Sequence, residues 1–383
     1  MAKKELIALF TNNDDDIYCF RLELIKAIID AGYDLLISCP DGPKFSVLEK
    51  ENLIKNKNFI YDNPHIDRRG TNPISDSRLI FHYLKLLRKY RPSVLLTYTP
   101  KPNVYATMVA HRLNIPVISN VTGLGSVEKH NGFRKVLIMA MFKYAYNKSA
   151  CIMFQNNYNL LLAKEKGWIK NDYRLIPGSG VALNRFSVLY YPDGGNGIEG
   201  ETVVFNYIGR ILHDKGVDDY INAAKRIKAK FPNTEFNLIG FIEPTEIHYE
   251  NDLELLQKQD IVYYRGSQDD IRPWIKRSHC TIHPSIYGEG MSNVLLESAA
   301  CGRPIITTDN HGCQETVDDD ISGFIYRGGD VDALVKKIEM FLNEKTNDER
   351  RTMGLNGRKK VECEFNREIV VNAYTEKIEE LLI

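Results

Sequence analysis

Apolar and polar positions follow a repeating order along the first half of this sequence, in which short β-rich runs are separated by stretches with helical spacing. The β-rich runs are LIALF, DLLIS, SVLLTY, PVISNV, CIMFQ and YRLIP. The helical stretches are Ile17–Ala31, Ser75–Lys89, Val104–Leu113 and Phe133–Tyr146. Strands that alternate with helices predict a mostly parallel sheet covered by helices on both faces.

The alternation stops at residues 187–200, SVLYYPDGGNGIEG, which we interpret as an interdomain linker because turn-forming residues predominate there. A second series of strands follows, namely TVVFNYIG, EFNLIG, IVYYRG, CTIHPS, PIITT and GFIYR. Its helices are Val217–Phe231, Asp330–Asn343 and Glu349–Glu364. The last stretch, Arg367–Ile383, has a helical apolar stripe that is expected to pack back on the first domain.

This pattern predicts an α/β protein with two doubly wound, Rossmann-like domains facing a central cleft. The first domain is expected at 1–186, the linker at 187–200, the second domain at 201–365 and the returning helix at 366–383. A chain of 383 residues is long enough for two cores of this kind.

Charge and cysteine content narrow the range of functions. Lysine plus arginine and aspartate plus glutamate each number 50, so no overall basic field favours nucleic acid as a partner. The start, MAKKELIALF, is typical of a first strand rather than a signal peptide, and no run of about 18 apolar residues predicts a membrane span. The 7 cysteines include no CxxC pair, which favours free thiols in a reducing cytoplasm over a zinc site or disulfides.

The stretch EGMSNVLLE, Glu289–Glu297, carries the most informative chemistry. It follows the strand-like CTIHPS and contains a helix start that Ser292 or Asn293 can cap, while Gly302 with Pro304 can end the helix. A helix N-terminus at the carboxyl edge of a sheet favours a diphosphate, and two flanking carboxylates can accept hydrogen bonds from vicinal hydroxyls. A sugar nucleotide would satisfy both, although two glutamates at this spacing are also common on solvated helix faces.

A basic loop, GRILHDKG, follows the first strand of the second domain and supplies Arg210 and Lys215. Both side chains could hold a diphosphate, the arginine as a fork and the lysine as a point charge. The alternative is a solvated basic loop, but the two glutamates of the same domain favour phosphate binding.

Three further features of the chain could have either a structural or a functional role. The triplet Asp14–Asp16 contains a DxD, but its place before a helix favours capping over metal binding. The helical stretch Phe133–Tyr146, with Arg134, Lys135 and Lys143, suits burial against a sheet, and it also suits a membrane interface. His283 and His311 of the second domain are expected to be packed residues without a chemical role.

The motifs GRILHDKG, YRGSQDDI and HPSIYGEGMSNVLLESAACGRPIITTDNHGCQETV resemble the family 4 retaining glycosyltransferases, whose fold is the two-domain GT-B type. TYTPKPN (Thr97–Asn103) and NVTGLGS (Asn120–Ser126) resemble the bacterial branch that builds capsule, O-antigen and protein-linked glycans on a polyprenyl diphosphate carrier. The resemblance implies transfer of a hexose or N-acetylhexosamine from a UDP-sugar to a lipid-linked saccharide, without a cofactor or metal. It also implies a cytoplasmic protein, peripheral at the inner face of the cell membrane.

The resemblance assigns donor roles residue by residue. Arg210 and Lys215, preceded by Gly209, match the diphosphate grip, and these two cations with Glu289 are the expected catalytic residues. Glu289 matches the contact to sugar hydroxyls and Glu297 the contact to the ribose. The remaining donor positions are Gly290, Met291 and Ser292 beside the sugar, Asn293, Val294 and Leu295 at the helix start, and Arg265 near the base.

The resemblance also implies that the first domain binds the acceptor. The expected acceptor residues are Lys101, Asn103, Thr122, Gly123, Leu124 and Gly125. Many family members have a histidine near the donor sugar where this chain has Thr99 and Pro100, and a glycine-rich loop after the first strand where it has Asn12–Asp16.

Other functions remain open on the residues alone. A sugar-nucleotide epimerase of similar fold would need acid and base side chains around the sugar C2. An inactive sugar-nucleotide-binding subunit would be expected to lack Glu289 or Lys215, and both are present. A glycosidase needs paired carboxylates across one bond rather than a phosphate grip, and a dinucleotide dehydrogenase needs a GxGxxG that does not follow the first strand.

Overall fold

The structure is a computed structural model, which describes residues 4–42, 59–67, 72–122 and 132–383. The protein divides into two units. The first unit consists of Met1–Ser179 together with Arg367–Ile383, and the second is Gly180–Asn366. The boundary therefore lies at Gly180, before the expected one at residue 186. Residues 187–200 belong to the second unit, because the apolar run of this stretch packs there: Tyr191 is buried and its hydroxyl donates to the His279 carbonyl at 2.9 Å.

The first unit contains a parallel sheet in the order β3-β2-β1-β4-β5-β6-β7. Its strands are β1 Leu6–Phe10, β2 Asp34–Ser38, β3 Phe59–Asp62, β4 Val94–Tyr98, β5 Val117–Val121, β6 Cys151–Phe154 and β7 Asp172–Leu175. Each pairing between neighbours is parallel, which confirms the α/β prediction. The sequence pattern missed β3, a four-residue strand at the edge whose residues are only partly buried and so lack a strong apolar signal.

The helices of the first unit cover both faces of this sheet. They are α1 Asp14–Phe20, α2 Leu22–Asp30, α3 Pro73–Tyr90, α4 Thr107–Arg112, α5 Phe133–Lys148 and α6 Asn157–Glu165, with a π-helical turn at Pro102–Ala106 before α4. The single helix predicted from residue 17 to 31 is two helices, because Arg21 adopts a non-helical φ of −124° and ψ of 0° between them. The pattern did not predict α6.

The second unit contains another parallel sheet, in the order β10-β9-β8-β11-β12-β13. Its strands are β8 Val203–Ile208, β9 Thr234–Ile239, β10 Tyr263–Tyr264, β11 Cys280–His283, β12 Ile305–Thr308 and β13 Gly323–Tyr326. Its helices are α7 Val217–Lys230, α8 Tyr249–Lys258, α9 Arg272–Arg277, α10 Asn293–Ala300, α11 Val331–Asn343 and α12 Asn347–Glu364. The sequence pattern did not predict α8 or α9.

The strand order creates a crevice at one edge of each sheet. From β1 the chain adds strands on one side and then returns to add β4 on the other; β8 and β11 are related in the same way. Loops that leave the carboxyl ends of two such strands diverge to opposite faces, and ligands of open α/β sheets bind between them. The second unit's loops at this point contain Lys215 and Glu289.

The last helix, α13 Arg367–Leu382, belongs to the first unit. Its buried Tyr374 hydroxyl accepts a hydrogen bond from the Asn120 side-chain amide at 2.6 Å. Arg367 donates to the Cys19 carbonyl at 2.9 Å, and Lys377 pairs with Asp172 at 2.8 Å. Buried polar bonds and apolar side chains therefore hold the end of the chain against β4 and α2.

We expect Tyr374→Phe to lower the free energy of unfolding of the first unit by about 1–3 kcal/mol, because the buried Asn120 amide loses its acceptor. Urea denaturation followed by circular dichroism measures this change. Glu379→Gln, on the exposed face of the same helix, is the control and should leave the transition unchanged. An unchanged midpoint for Tyr374→Phe would contradict the anchoring role of its hydroxyl.

Candidate functional site

The candidate site lies where the loops after β8 and β11 meet. The Lys215 Nζ atom is 2.6 Å from the Glu289 Oε1 atom, and the two side chains are only 13% and 16% exposed. Two of the three predicted catalytic residues are thus brought together from loops that are distant in sequence. A pair of opposite charges in so enclosed a position interacts far more strongly than one on the open surface.

Glycine at position 216 permits this approach of the two loops. Gly216 has a left-handed φ of +72°, and a Cβ atom added there would lie 1.9 Å from the Pro284 carbonyl oxygen. The same two loops are joined by a backbone hydrogen bond, in which the Ile286 N–H donates to the Asp214 carbonyl at 3.1 Å. Lys215 is therefore held beside the β11 loop by backbone contacts that a side chain at position 216 would disrupt.

The loop that carries Glu289 is also fixed from the β12 side. The Glu289 N–H donates to the His311 carbonyl at 3.0 Å, and the Ser292 N–H donates to the Gly312 carbonyl at 2.7 Å. A Cβ atom on Gly288 would lie 1.9 Å from the His311 ring. His311 is thus packed closely against this loop.

His283, the last residue of β11, is a functional candidate that the sequence pattern missed. Its Nε2 atom is 2.9 Å from Glu289 Oε1, the same oxygen that Lys215 contacts. Burial by itself would raise the pKa of the Glu289 carboxyl, but Lys215 and then His283 outweigh it and hold this pKa well below its usual range. The sequence feature that could have identified His283 is its position at the end of a strand, six residues before the predicted carboxylate Glu289.

The start of α10 lies directly after this cluster. Ser292 occupies the N-cap position, but its side chain makes no capping hydrogen bond to the helix. The first-turn N–H groups are therefore not capped by that hydroxyl, and the positive end of the helix dipole lies in the same place. Asn293, Val294 and Glu297 form the partly exposed face of the helix.

The other predicted donor positions of this segment are enclosed. Gly290, Met291, Ser292 and Leu295 are buried, and Met291 and Leu295 belong to the apolar core beneath α10. Met291 and Leu295 therefore contribute packing and backbone rather than an exposed side chain.

Arg210 pairs with a different carboxylate. Its Nη1 atom is 3.3 Å from Glu243 Oε2, and its side chain is 47% exposed whereas that of Glu243 is 4% exposed. The Tyr207 hydroxyl donates to the Arg210 carbonyl at 2.6 Å, and Gly209 adjoins Gly240 so closely that a Cβ on Gly240 would lie 1.8 Å from its carbonyl oxygen. Glu243 was not predicted as the partner of Arg210. It follows β9, and the sequence does not show that β9 lies beside β8 in the sheet.

The Arg265 side chain is directed away from this edge. Its Nε donates to Asn237 Oδ1 at 2.7 Å and its Nη2 approaches Glu235 at 3.3 Å, so it runs back along β9. The guanidinium also lies over the Trp274 ring, 5.5 Å from the centroid. The charge of Arg265 is therefore engaged on the face of the sheet, and its contact with a base stays a prediction.

The predicted acceptor residues are only partly brought together. Lys101 pairs with Asp76 at 2.6 Å in a largely enclosed position. Asn103 is 1% exposed and donates to the Asn120 carbonyl at 2.7 Å, so this amide secures β5 from the interior, and its contact with an acceptor stays a prediction. Thr122 is half-buried after β5. The predicted positions Gly123, Leu124 and Gly125 lie outside the described residues.

The π-helical turn of the first unit begins close to a backbone outlier. Thr99, directly after β4, has a φ of +67°, which is unusual for a β-branched residue. Residues in such conformations cluster at ligand-binding positions, and Thr99 stands where many members of the resembling family have a histidine.

Two clusters of side chains contain residue types that can bind a metal ion. Asp14, Asp15 and Asp16 form the first turn of α1 with Asn13 as the N-cap, which agrees with the helix-start interpretation. In the described part of the chain, ligand atoms of His283, Glu289 and Cys313 lie within 4.8 Å of one another. This second set does not suit a resident cation, because the Lys215 ammonium already neutralises Glu289 and burial raises the pKa of the Cys313 thiol.

Helix α5 has two contrasting faces. Phe142, Ala145 and Tyr146 are buried, whereas Val136 is 65% and Leu137 is 50% exposed. Among the described residues, no helix combines the length and the apolar character that crossing a bilayer requires.

Two family models match the chain and together span most of it. Residues 194–360 match the family "Glycosyl transferases group 1", and residues 7–156 match "Glycosyl transferase 4-like". The first match contains Arg210, Lys215, Glu289 and Glu297, so the candidate site lies within the region that defines the similarity.

Curated relatives of similar length carry more specific names. The chain is 28% identical over 324 residues, 79% of its length and 80% of the relative's, to the capsular polysaccharide biosynthesis glycosyltransferase CapM of Staphylococcus aureus. It is 25% identical over 350 residues, 88% and 89% of the two chains, to the N,N'-diacetylbacillosaminyl-diphospho-undecaprenol alpha-1,3-N-acetylgalactosaminyltransferase of Campylobacter jejuni. It is 23% identical over 309 residues, 78% of each chain, to the UDP-Gal:alpha-D-GlcNAc-diphosphoundecaprenol alpha-1,3-galactosyltransferase of Escherichia coli.

Solved structures share the fold. Anabaena Alr3699/HepE, crystallised in complex with UDP, superimposes with a TM-score of 0.76 at 15% identity over 98% of this chain and 100% of that one. The architecture of two parallel-sheet units with helices on both faces is that of the GT-B glycosyltransferases, which confirms the predicted fold class.

We expect Gly216→Ala to lower the free energy of unfolding by at least about 1 kcal/mol more than Gly329→Ala, because the added methyl meets the Pro284 carbonyl. Gly329 is the matched control: its φ of +80° imposes the same backbone strain, but a Cβ there meets no atom within 4 Å. Urea denaturation of both variants separates the clash from the strain. Equal losses of stability would show that the loops around Lys215 do not need this close approach.

Proposed function

We propose that the chain is a glycosyltransferase that moves a hexose or N-acetylhexosamine from a UDP-sugar to a lipid-linked saccharide, with retention of anomeric configuration. The matches to two glycosyl transferase family models support this proposal. The observation that carries this proposal is the enclosed Lys215–Glu289 pair beside the start of α10 at the crevice of the second sheet. A cation, a carboxylate and a helix start that the Ser292 side chain does not cap suit a ligand that has both a diphosphate and sugar hydroxyls.

Each part of the donor has a proposed partner. Lys215, Arg210 and the α10 start hold the diphosphate, while Glu289 accepts hydrogen bonds from hydroxyls of the transferred sugar. Glu297, on the partly exposed face of α10, contacts the ribose. The backbone of Gly209, Gly290 and Met291 approaches the ligand, and Arg265 lies near the base.

The proposed reaction breaks the bond between the sugar C1 and the UDP oxygen and forms a bond from C1 to an acceptor hydroxyl oxygen on the same face. The acceptor proton passes to the leaving diphosphate, so no enzymic base is required. Negative charge grows on the UDP oxygens as the bond breaks, and Lys215, Arg210 and the α10 dipole stabilise it in place. Glu289 orients the sugar and stabilises positive charge that develops at C1.

Two relatives whose names specify a sugar on diphospho-undecaprenol support the proposed acceptor class. We propose a saccharide on a polyprenyl diphosphate, used in capsule, O-antigen or other glycan synthesis. Lys101 is the proposed contact to its phosphates, for which the ammonium would exchange Asp76 for the acceptor. No cofactor or resident metal takes part in this proposal.

The donor site is tested by Glu289→Ala and Lys215→Met, with UDP-Gal, UDP-GalNAc, UDP-Glc, UDP-GlcNAc and GDP-sugars screened by mass spectrometry against a polyprenyl-diphosphate sugar. Glu289→Ala should reduce kcat/KM by about 10- to 150-fold, the cost of a hydrogen bond to a charged group. Lys215→Met should weaken UDP binding as well as turnover, because it removes a diphosphate contact. Wild-type activity should persist in EDTA.

Lys230→Met is the matched control, since it removes an exposed ammonium of the same unit that pairs with Glu339. It should leave both UDP affinity and turnover unchanged. Full activity of Lys215→Met, or activity lost in EDTA and restored by Mg²⁺, would contradict the proposed chemistry.

We also propose that α5 rests on an anionic membrane surface, where a lipid-linked acceptor would be found. The helix contains four basic residues and no acidic ones, although the chain as a whole is neutral. Val136, Leu137, Lys143 and Lys148 are all exposed on this helix, and α3, which packs on the same π-helical turn, exposes Ile74 and Phe81. Apolar side chains among basic ones are typical of helices that lie at a lipid interface.

Liposome flotation tests this surface. Wild-type protein should float with vesicles that contain anionic lipid, and Val136→Asp should release it, because it places a negative charge among apolar contacts. Ile247→Asp is the matched control, since Ile247 of the second unit is also 65% exposed. Absence of wild-type flotation, or equal release by both variants, would count against membrane contact through α5.

A further inference from the structure

We infer that His283 is a positioning residue that holds Glu289 in place when Lys215 turns to the donor diphosphate. This inference rests on the proposed function and deepens it. His283 itself would not touch the reacting atoms; it would act through the Glu289 carboxylate.

The geometry of His283 points to this single task. Its side chain is 3% exposed, and its Nε2 atom lies 2.9 Å from Glu289 Oε1. An ionised carboxylate only accepts hydrogen bonds, so Nε2 must carry the proton and donate it. The Ser292 Oγ atom lies farther from Nε2, at 3.4 Å.

The ring is fixed independently of Glu289. The Thr307 hydroxyl donates to the His283 carbonyl at 2.9 Å, which secures the end of β11 to β12. The imidazole lies nearly parallel to the Tyr207 ring, with centroids 6.3 Å apart. A donor held in this way can define the position of a partner on a loop.

The second nitrogen of His283 distinguishes it from a structural histidine. Its Nδ1 atom is buried and has no hydrogen-bond partner among the described residues. His279, at the other end of the same strand, is equally buried, but its Nδ1 accepts from the Val204 N–H at 3.0 Å and its Nε2 bonds to the Asp193 carbonyl at 3.0 Å. Both nitrogens of His279 therefore serve the fold, whereas His283 donates to Glu289, the carboxylate proposed to contact the sugar.

The need for this bond arises from two demands on Lys215. In this structure its ammonium shares Glu289 Oε1 with His283. The proposed reaction requires the same ammonium at the diphosphate, and an enclosed carboxylate that loses its ion partner is strongly destabilised. With His283 in place, Glu289 keeps one donor and its orientation while Lys215 moves.

Three substitutions test the inference. His283→Gln places an N–H donor near the position of Nε2. The side chain of His283→Asn is too short for its amide to reach Glu289, and His283→Leu removes the polar group. The Asn and Leu variants should lower kcat by about 10- to 100-fold, the cost of a misplaced catalytic group, while UDP affinity stays within about threefold. The Gln variant should recover most of the lost rate.

UDP affinity distinguishes a structural role of His283 from a role in positioning Glu289, because UDP lacks the sugar that Glu289 would contact. A merely structural histidine would lower UDP affinity, kcat and melting temperature together. If His283 acts through Glu289, adding His283→Asn to Glu289→Ala should cause little further loss, because the interaction is already removed.

Activity of His283→Asn equal to that of the wild type would overturn the inference while leaving the proposed function intact. So would equal activity of the Gln and Asn variants, or multiplicative losses in the double variant. A wild-type protein that binds neither UDP nor a UDP-sugar would overturn both.

Discussion

The contact between the Lys215 ammonium and the Glu289 carboxylate is the interaction on which the site of the second unit depends. Both side chains are largely enclosed, so either charge alone would be costly there, and the loops after β8 and β11 must keep them together. This demand explains two glycines. Gly216 lets one loop reach the Pro284 carbonyl, and Gly288 lets the other pass under the His311 ring. The Lys215–Glu289 contact therefore depends on the close packing of the loop backbones that these glycines allow.

The parallel sheet explains why this contact forms at that edge. Strands β8 and β11 are neighbours although the chain visits β9 and β10 between them, so their carboxyl ends leave a crevice from which loops diverge. The same crevice receives the start of α10, with a cap position whose side chain does not fill the helix N–H groups. Charge, helix dipole and space thus coincide at one edge, and the sequence similarity to glycosyl transferases includes this region.

The two units differ in how far their predicted residues meet. In the second unit, Lys215 and Glu289 pair directly, while Arg210 is held at the next loop by the buried Glu243. In the first unit, Lys101 and Asn103 follow the same strand, yet one is paired with Asp76 and the other supports β5 from the interior. A short motif such as TPKPN indicates which residues are present, but its helical turn decides which of them face inward.

The sequence alone determined the alternation of strands and helices and the two sheets, because periodicity is a local property of the chain. It also singled out Lys215 and Glu289, which the structure brings together, whereas the roles of Arg210 and Glu297 stay predictions. It missed β3, α6, α8 and α9, whose apolar signals are short or weak, and it merged α1 with α2 across Arg21. Only the tertiary structure decided the partners: His283 for Glu289, Glu243 for Arg210, and the face of β9 for Arg265. The reason is physical, since such pairs depend on which strands become neighbours and how closely their loops approach, and neither is encoded in any single stretch of residues.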